Sequence, residues 1–450
     1  MRILGAAIFL FAFFLGTKPA FCTANEPVPT ATFAGIHNVP IVIEARDIGA
    51  VQYHVLDRYR VFRTAPDGTA VPIPFQIDEK DKFGDYILDK GPHPNIQYSN
   101  GIFDYQDELS IMGNDVGPRN TPTKWPFARP AVLYELVFER KNDVGAVYIG
   151  TYYKDPPPLA QTAPYVIFDT KNDAIYSSRY LYLFNKKNYL VVRDVDIRKP
   201  LDVKKDLIAS SSLYMKIDLK YFLTFHVGHS SIESALDAYR VGPVRATARV
   251  NFDYKIAKMK FDIGMYTEVS FFSNAVYLPA VIDNPLEGKK ALNKGSYFYY
   301  GLAVEDSPAA LTLESNMPDF NKKEDFLSLF KGKSTAFDQY WVTTISPDYM
   351  VYLEFRPSVQ MQKDGNVPFL YVEKVPAKDV VPREKGSAEP LGKSPVNVAV
   401  AFDLDNLQKG LHEVKFRLFV ESYKRPEYLE EFKTAEEWKF LALRLRSKAY

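Results

Sequence analysis

The stretch that decides the fold runs from Val244 to Phe271 and reads VRATARVNFDYKIAKMKFDIGMYTEVSF. Apolar side chains occupy the even positions from Val244 to Ile256, and polar side chains occupy the odd positions between them. A second alternation follows from Met259 to Phe271. A period of two residues is typical of a strand with one buried and one wet face. At about 3.3 Å per residue each strand would extend roughly 43 Å, so the segment predicts a large antiparallel sheet.

The register of this predicted hairpin is argued from its charges. Opposite charges directly across a strand pair stabilise it, and like charges destabilise it. A two-residue loop would set Asp253 against Asp262. A four-residue loop instead sets Asp253 against Lys260 and Arg245 against Glu268. We therefore predict the four-residue loop.

The N-terminus has the pattern of a secretory signal peptide. Arg2 supplies a positive charge, and Ile3 to Gly16 is an almost unbroken apolar run. A run of about 14 residues is shorter than the roughly 20 that a membrane-spanning helix needs, and small residues precede a cleavage point after Ala24. We expect residues 1–24 to be removed, leaving no transmembrane anchor, and the mature protein to be periplasmic or extracellular.

The composition of the mature chain excludes several kinds of chemistry. The one cysteine, Cys22, would leave with the signal peptide, so the mature chain has no disulfide, thiolate nucleophile or iron-sulfur cluster. Loss of Arg2 and Lys18 turns 56 basic residues into 54 against 55 acidic ones, a net charge of −1. This balance gives no indication of a nucleic-acid partner.

Turn signals and proline runs divide the chain. The residues 155–158, Asp-Pro-Pro-Pro, mark a boundary because consecutive prolines remove the donors of a strand ladder. The predicted fold is mainly β, with an antiparallel β-sandwich domain followed by a large supersandwich-like β domain and a short C-terminal helix. The predicted ranges are a signal peptide over 1–24, an N-terminal β-sandwich domain over 28–155, a large antiparallel β domain over 163–425 with a mobile loop over 375–395, and a C-terminal helical segment over 426–450.

The C-terminal helix is predicted from its start signal and its spacing. Thr434 and Glu437 form a capping box. Trp438, Leu441 and Leu445 follow at helical spacing, with acidic residues in the first turn and basic residues in the last.

Acidic residues cluster in two loops of the predicted N-terminal domain. The five that we expect to converge at one edge are Asp78, Asp81, Asp104, Asp107 and Asp115. Calcium takes six to eight hard oxygen ligands, which two acidic loops would supply, so Ca²⁺ is the candidate cofactor. Two other interpretations stay open. The carboxylates solvate turns between strands, or two of them perform glycosidase-type acid and base catalysis.

Arginine and aromatic side chains offer candidate ligand sites. Arg245 and Arg249 share the polar face of the first long strand, where they would clamp an anionic ligand or pair with acidic residues such as Glu268. Aromatic residues make up 14% of the chain and cluster over 176–189 and 297–300. Exposed rings would stack on sugars, whereas rings in strands fill a sandwich core, and we favour packing for these two clusters.

A resemblance to a family rests on three segments. Val71 to Asp78, VPIPFQID, and Asp107 to Gly117, DELSIMGNDVG, resemble the N-terminal β module of a group of uncharacterised exported bacterial proteins. Gly242 to Arg245, GPVR, is similar to a strand farther along in that group. The resemblance covers about half of the chain and implies a mutarotase-like supersandwich, as in families of polysaccharide degradation. It implies no catalytic residue.

These observations predict an exported β-protein that binds a glycan or a protein partner. The alternative is a carbohydrate-active enzyme on the same scaffold, a polysaccharide lyase or a glycoside-modifying enzyme. The chain contains no Gly-rich phosphate loop, no G-x-S-x-G elbow and no H-E-x-x-H motif, so its motifs do not decide between binding and catalysis.

Overall fold

The computed structural model describes residues 39–445, with gaps at 141–142, 199–203, 221–222, 229–231, 257–258, 285–286, 305–311, 317–339, 364–368, 375–395, 423–426 and 434–438. The predicted signal peptide and the predicted mobile loop lie outside the described residues. Strands dominate the part that is described, which confirms a mainly β fold.

The strands of the described part are numbered in chain order. They are β1 Pro40–Glu44, β2 Tyr59–Thr64, β3 Ala70–Pro72, β4 Gln76–Asp78, β5 Glu108–Met112, β6 Gly117–Pro118, β7 Val132–Arg140, β8 Asp143–Thr151, β9 Val166–Asp169, β10 Ala174–Ser177, β11 Tyr180–Asn185, β12 Asn188–Arg198, β13 Lys204–Leu219, β14 Leu223–Gly228, β15 Ile232–Val241, β16 Ala246–Ile256, β17 Met259–Phe271, β18 Ala275–Asn284, β19 Tyr297–Val304, β20 Thr312–Ser315, β21 Tyr340–Ile345, β22 Tyr349–Pro357, β23 Phe369–Lys374, β24 Val396–Asp403, β25 Gly410–Ser422 and β26 Lys439–Leu445.

Helices are short. The α-helices of the described residues are α1 Gly288–Ala291, α2 Val359–Lys363 and α3 Glu427–Lys433. Single 3₁₀ turns span Leu56–Arg58, Ile96–Tyr98 and Gly113–Asp115, and a longer 3₁₀ segment with a kink at Ile48 spans Ala45–Val51. Across the ranges that the structure covers, we find no helix with the length and apolar character required to cross a bilayer.

The N-terminal unit is built from two sheets. Strands β1, β5 and β4 form a three-stranded sheet, while β26, β7, β8, β2 and β3 pair in that order and β6 adds to β8. The apolar runs from Ala131 to Phe138 and from Gly145 to Tyr153, on either side of the polar residues 141–143, predict a hairpin. The structure confirms it as β7 and β8, which pair from Val132 opposite Thr151 to Arg140 opposite Asp143. An apolar core packs between the elements of this unit and continues into the large unit.

The predicted short helix near the C-terminus is confirmed, but the prediction that Leu441 and Leu445 belong to it is wrong. The predicted capping box at Thr434 and Glu437 lies outside the described residues. Residues Lys439 to Leu445 form strand β26, which pairs with β7 from Lys439 opposite Glu139 to Leu445 opposite Leu133. The helix near the C-terminus is α3, which ends at Lys433. A short apolar run fits a strand or a helix equally by its pattern, and the open edge of β7 supplies the hydrogen-bond partners that favour the strand. The C-terminus thus completes the sheet of the N-terminal unit.

The large unit contains two series of antiparallel strands. One series pairs in the order β9, β10, β11, β12, β13, β19, β24, β23, with β14 added to β13. The other pairs in the order β15, β16, β17, β18, β25, β22, β21, β20. A bridge from Asn188 to Ser234 connects them. Side chains from both series, such as Tyr182 and Phe416, form one apolar core, as the two sheets of a sandwich do.

The register predicted for the β16–β17 hairpin is wrong. Lys255 lies opposite Lys260 at the tip, and Arg249 lies opposite Glu268 farther along. The pairing shifts between Phe252 and Tyr254, so neither regular register holds along the whole hairpin. A bulge of this kind lets one end of the hairpin keep a short loop while the other end brings opposite charges together.

The prediction of one wet face is also wrong for the base of this hairpin. Arg245, Thr247 and Arg249 are buried, although they occupy the polar positions. The second series is covered on both sides, because the core of the N-terminal unit includes Phe272 and Phe419 from the large unit. A polar face predicted to meet water therefore meets the N-terminal unit instead.

Candidate functional site

A buried ionic network joins the two units. Arg245 Nε donates to Asp78 Oδ2 (2.7 Å), and its Nη2 donates to Glu108 Oε2 (2.8 Å). The Gln76 side-chain oxygen accepts from the backbone N–H of Arg245 (3.0 Å) and of Val244 (3.2 Å). These residues come from the three segments that carry the family resemblance. The motifs therefore meet at one interface.

Two further groups complete the network around Glu108. Lys80 Nζ bonds one carboxylate oxygen, and the Tyr86 hydroxyl donates to the other (2.7 Å). Burial would raise the pKa of Glu108, but the charges of Arg245 and Lys80 lower it to about 2. The Arg245 guanidinium also lies 4.7 Å from the centre of the Tyr86 ring. A carboxylate held ionised among cations in the interior is a structural ion pair.

Arg245 and Arg249, predicted to bind a ligand, both lie in this interface. Arg245 is 1% exposed, and its guanidinium is bonded to protein carboxylates. Arg249 lies 2.7 Å from Glu268, the partner that the sequence offered as the alternative, and also donates to the Tyr86 carbonyl (2.8 Å). The geometry gives both arginines an interface role.

The five carboxylates predicted to bind calcium have separate local partners. Asp78 belongs to the ionic network described above. Asp81 accepts from the backbone N–H of residues 83 and 85, as a turn-capping carboxylate does. The Tyr165 hydroxyl donates to Asp115 (2.8 Å), and burial raises the pKa of Asp115.

The remaining two carboxylates, Asp104 and Asp107, are neighbours in one loop. Asp107 accepts from the backbone N–H of Lys80 (2.9 Å) and of Asp104 (2.8 Å). Burial raises the pKa of Asp107 to about 7. Over the described residues no group of three His, Cys, Asp or Glu side chains is placed to hold a metal ion. The calcium site thus stays a prediction from the sequence.

The most distinctive surface of the described chain is formed by loops of the N-terminal unit. Seven of the fifteen exposed large apolar side chains among the described residues lie between positions 53 and 105. They are Tyr53, Val55, Phe83, Ile96, Tyr98, Ile102 and Tyr105, with 38% to 78% of each side chain exposed. We call this set the aromatic loop surface.

Backbone hydrogen bonds join the loops that carry this surface. Val55 forms a β-bridge with Ile102, and the Tyr53 N–H donates to the Phe103 carbonyl (2.8 Å). Glu79, which is buried, accepts from the backbone N–H of Asn100 (3.0 Å) and of Gly101 (2.8 Å). Hydrogen bonds of this kind hold the backbone that carries the exposed side chains, which lowers the conformational entropy lost when a ligand binds.

Tyr53 adopts an unusual backbone conformation. Its φ angle is 70°, in the left-handed region that bulky residues rarely occupy. Its ring is 71% exposed, so no burial of that ring offsets the conformational cost of order 1 kcal/mol or more. Such strain is concentrated at functional sites, which singles out Tyr53 within the aromatic loop surface.

Sequence reasoning pointed to other aromatic residues. Tyr180, Tyr182 and Tyr300, from the two clusters noted in the sequence, are buried in the core of the large unit, which confirms the packing interpretation for them. The exposed rings were missed because each stands singly in a loop. Their signal was an aromatic residue among turn residues, as in Tyr98-Ser99-Asn100-Gly101.

A small cavity lies between the two series of strands in the described part of the large unit. Its volume is about 30 Å³, and it is lined by apolar side chains that include Tyr182, Val269 and Leu353. The aromatic loop surface, which is open to solvent, is the candidate functional site.

Comparison with known proteins gives distant likenesses. No protein-family model and no curated protein matches the chain. Two solved structures resemble it at 8% sequence identity, a glycosyl hydrolase family 38 protein from Enterococcus faecalis (TM-score 0.44) and an alpha-mannosidase from Enterococcus faecalis V583 (TM-score 0.43). Each likeness covers 92% of this chain, which spans 47% and 45% of those chains, respectively. At this distance the likenesses indicate neither fold nor function.

Proposed function

We propose that this chain is an exported glycan-binding protein and that the aromatic loop surface is its binding site. The observation that carries the proposal is that four exposed rings, those of Tyr53, Phe83, Tyr98 and Tyr105, stand on loops that hydrogen bonds join to one another. Sugar rings present apolar C–H faces and a rim of hydroxyl groups. Rigid exposed aromatic side chains pack against such faces at a low cost in conformational entropy.

Polar groups beside the rings suit the hydroxyl rim of a sugar. Asn100 is exposed and lies two residues from Tyr98, and its side chain donates to Asp104 (2.8 Å). Amide and carboxylate groups accept hydrogen bonds from hydroxyls, and the amide also donates. Stacking faces with adjacent acceptors favour a glycan over an apolar protein helix as the occupant.

Export is part of the proposal and rests on the N-terminal sequence. Compartments outside the cytoplasm are oxidising, and a mature chain without cysteine forms no disulfide there. Those compartments are also where the protein would meet extracellular glycans. Cell fractionation with mass spectrometry of the mature chain tests this part. Recovery of the chain from the periplasm or medium beginning at Asn25 supports it, whereas an uncleaved cytoplasmic chain contradicts it.

The binding proposal is tested by alanine variants of the exposed rings. The purified protein is screened against a panel of soluble polysaccharides, and affinity for each polymer that binds is measured by calorimetry for the wild type and for Tyr53→Ala and Tyr98→Ala. Each variant should weaken binding about 2- to 10-fold, since one aromatic contact contributes about 0.5–1.5 kcal/mol.

Tyr153→Ala is the matched control for these variants. Tyr153 is 71% exposed, as Tyr53 is, but lies outside the aromatic loop surface. Its removal should leave affinity unchanged. If no polysaccharide binds, or if Tyr153→Ala weakens binding as much as Tyr53→Ala, the proposal is wrong. Appearance of unsaturated or shortened products during the screen would favour the carbohydrate-active enzyme.

A further inference from the structure

The charges around the aromatic loop surface point to the class of glycan. The loops that form it, residues 53–58, 79–89 and 96–107, contain seven acidic residues, Asp57, Glu79, Asp81, Asp85, Asp89, Asp104 and Asp107. The same loops contain three basic residues, Arg58, Lys80 and Lys82. Glu79 and Asp107 are buried, which leaves five carboxylates that are exposed or half-buried. These five still outnumber the basic residues, even with the exposed Lys90 that follows the second loop, so the surface carries an excess of negative charge although the whole chain is almost neutral.

The three cations of these loops are already engaged. Lys80 bonds the buried Glu108 and belongs to the ionic network. Arg58 lies 3.2 Å from Asp57, and Lys82 Nζ lies 4.9 Å from the centre of the Phe83 ring. An acidic sugar is recognised through a cation, above all by an arginine fork. In these loops a carboxylate or sulfate would have to displace an existing partner of such a cation.

We infer that the aromatic loop surface selects glycans without acidic groups and rejects uronate-containing and sulfated polymers. This inference rests on the proposed function. Aromatic stacking contributes to affinity for any sugar ring, while the surrounding carboxylates repel an anionic one and accept hydrogen bonds from the hydroxyls of an uncharged one. Discrimination therefore comes from repulsion as well as attraction.

Tyr266 extends this surface from the large unit. Its ring is 37% exposed, and Arg249 lies 5.3 Å from its centre. The Arg249 guanidinium is bonded to Glu268, so this cation too already has a partner beside the exposed ring. The large unit therefore adds an aromatic face beside the loops without adding a free cation from Arg249.

Matched polymers that differ only in charge test the inference. The full mature protein is titrated with hydroxyethyl cellulose and carboxymethyl cellulose of equal length, and with fully methyl-esterified and de-esterified galacturonan oligosaccharides. The uncharged member of any pair that binds should bind at least about tenfold more tightly at low salt. Because screening weakens repulsion between exposed charges, this ratio should shrink toward one as ionic strength rises to about 0.5 M.

A charge variant separates this inference from the proposed function. Asp57→Asn removes a carboxylate whose side chain is 71% exposed and releases Arg58, while its amide keeps one hydrogen-bond-accepting oxygen. It should therefore raise affinity for the acidic polymers several-fold and narrow the ratio between the uncharged and the acidic member of each pair. Equal or tighter binding of the acidic member of a pair overturns the inference while leaving glycan binding intact. Failure of every polymer in the panel, charged or uncharged, to bind overturns both.

Discussion

Arg245 donates a 2.7 Å hydrogen bond to Asp78, which lies 167 positions earlier in the chain. The same guanidinium bonds Glu108, so one cation of the large unit holds two carboxylates of the N-terminal unit. A buried charge is costly unless it is paired and hydrogen-bonded. The N-terminal unit is therefore coupled to the large unit, because separating them would leave these charges without partners.

Replacement of Arg245 should strongly destabilise the protein. Arg245→Met leaves Asp78 and Glu108 buried without their shared cation, and breaking such a pair costs about 3–5 kcal/mol. We expect the free energy of unfolding, measured by urea denaturation, to fall by about this amount. Adding Asp78→Asn and Glu108→Gln to the same chain should recover much of the loss.

Arg240→Met is the control for this substitution. Arg240 lies 3.6 Å from the same Asp78, but its side chain is 26% exposed. Water solvates a partly exposed cation and screens its attraction to Asp78. This substitution should therefore lower the free energy of unfolding by about 1 kcal/mol or less. Equal losses for Arg240→Met and Arg245→Met would contradict the central position of Arg245 in the network.

Gly242 is required by the close approach of Gln76. A methyl group at position 242 would lie 2.2 Å from the Gln76 side-chain oxygen. That oxygen accepts hydrogen bonds from two backbone N–H groups, so the Gln76 side chain can move away only by losing them. We expect Gly242→Ala to lower the free energy of unfolding by about 1–3 kcal/mol. Gly49→Ala, where the nearest side-chain atom is 4.0 Å away, should be nearly neutral, and a similar loss at both glycines would contradict the crowding argument.

Asp107 should make stability depend on pH. Burial raises its pKa to about 7 from the ordinary 3.8, with smaller increases from Asp104 and Glu79 and decreases from two backbone N–H groups. An acid with a raised pKa in the folded state binds more protons when folded, so its contribution to the free energy of unfolding falls as pH rises from about 4 to about 7. Asp107→Asn should remove this part of the slope in urea denaturation.

The pKa of Glu108 shifts in the opposite direction, and this determines the pH range in which the effect of Asp107 is measured. The pKa of Glu108 is lowered to about 2, so its contribution to stability is present above its ordinary 4.5 and is lost as pH falls toward 2. Denaturation between about pH 5 and pH 8 therefore lies above the range in which Glu108 titrates. Burial also raises the pKa of Glu268 and of Asp403 to about 7, so the difference between the wild type and Asp107→Asn is the quantity that reports Asp107. If the free energy of unfolding changes with pH in the same way for the wild type and for Asp107→Asn over this range, Asp107 is ionised throughout it.

The sequence pattern within a segment predicted the long strands and one hairpin. The alternation from Val244 gave the long strands, and the apolar runs around 141–142 gave the β7–β8 hairpin. The register failed because one regular register was expected, whereas a bulge near Asp253 lets Arg249 face Glu268 at the base of the hairpin and Lys255 face Lys260 at its tip. Strand β26 failed because its pairing with β7 joins residues about 300 positions apart in the chain, which no local propensity reports.

The site was harder to predict than the fold. Sequence analysis expected the polar face at Arg245 to meet solvent, because alternation shows that two faces differ but not what covers each of them. The carboxylates at 78 and 107 were recognised as a group, yet their partners come from other loops and the other unit. The exposed rings near Tyr98 gave no pattern, because exposure is decided by the packing of the whole chain.

The last prediction concerns Glu79, a buried residue behind the aromatic loop surface. Its carboxylate accepts from the Ser99 hydroxyl (2.7 Å) and from the N–H groups of Asn100 (3.0 Å) and Gly101 (2.8 Å). Glu79→Ala leaves these donors without an acceptor, which costs about 1–3 kcal/mol. Hydrogen exchange at the amides of Asn100 and Gly101 should therefore become about 10- to 100-fold faster. Glycan affinity should also fall, because the loop that carries Tyr98 is less well ordered. Glu79→Gln, which keeps one acceptor oxygen, should have a smaller effect on both. The β7–β8 amides serve as the internal control, and faster exchange there to the same degree would mean that Glu79 stabilises the whole unit and does not specifically position the loop.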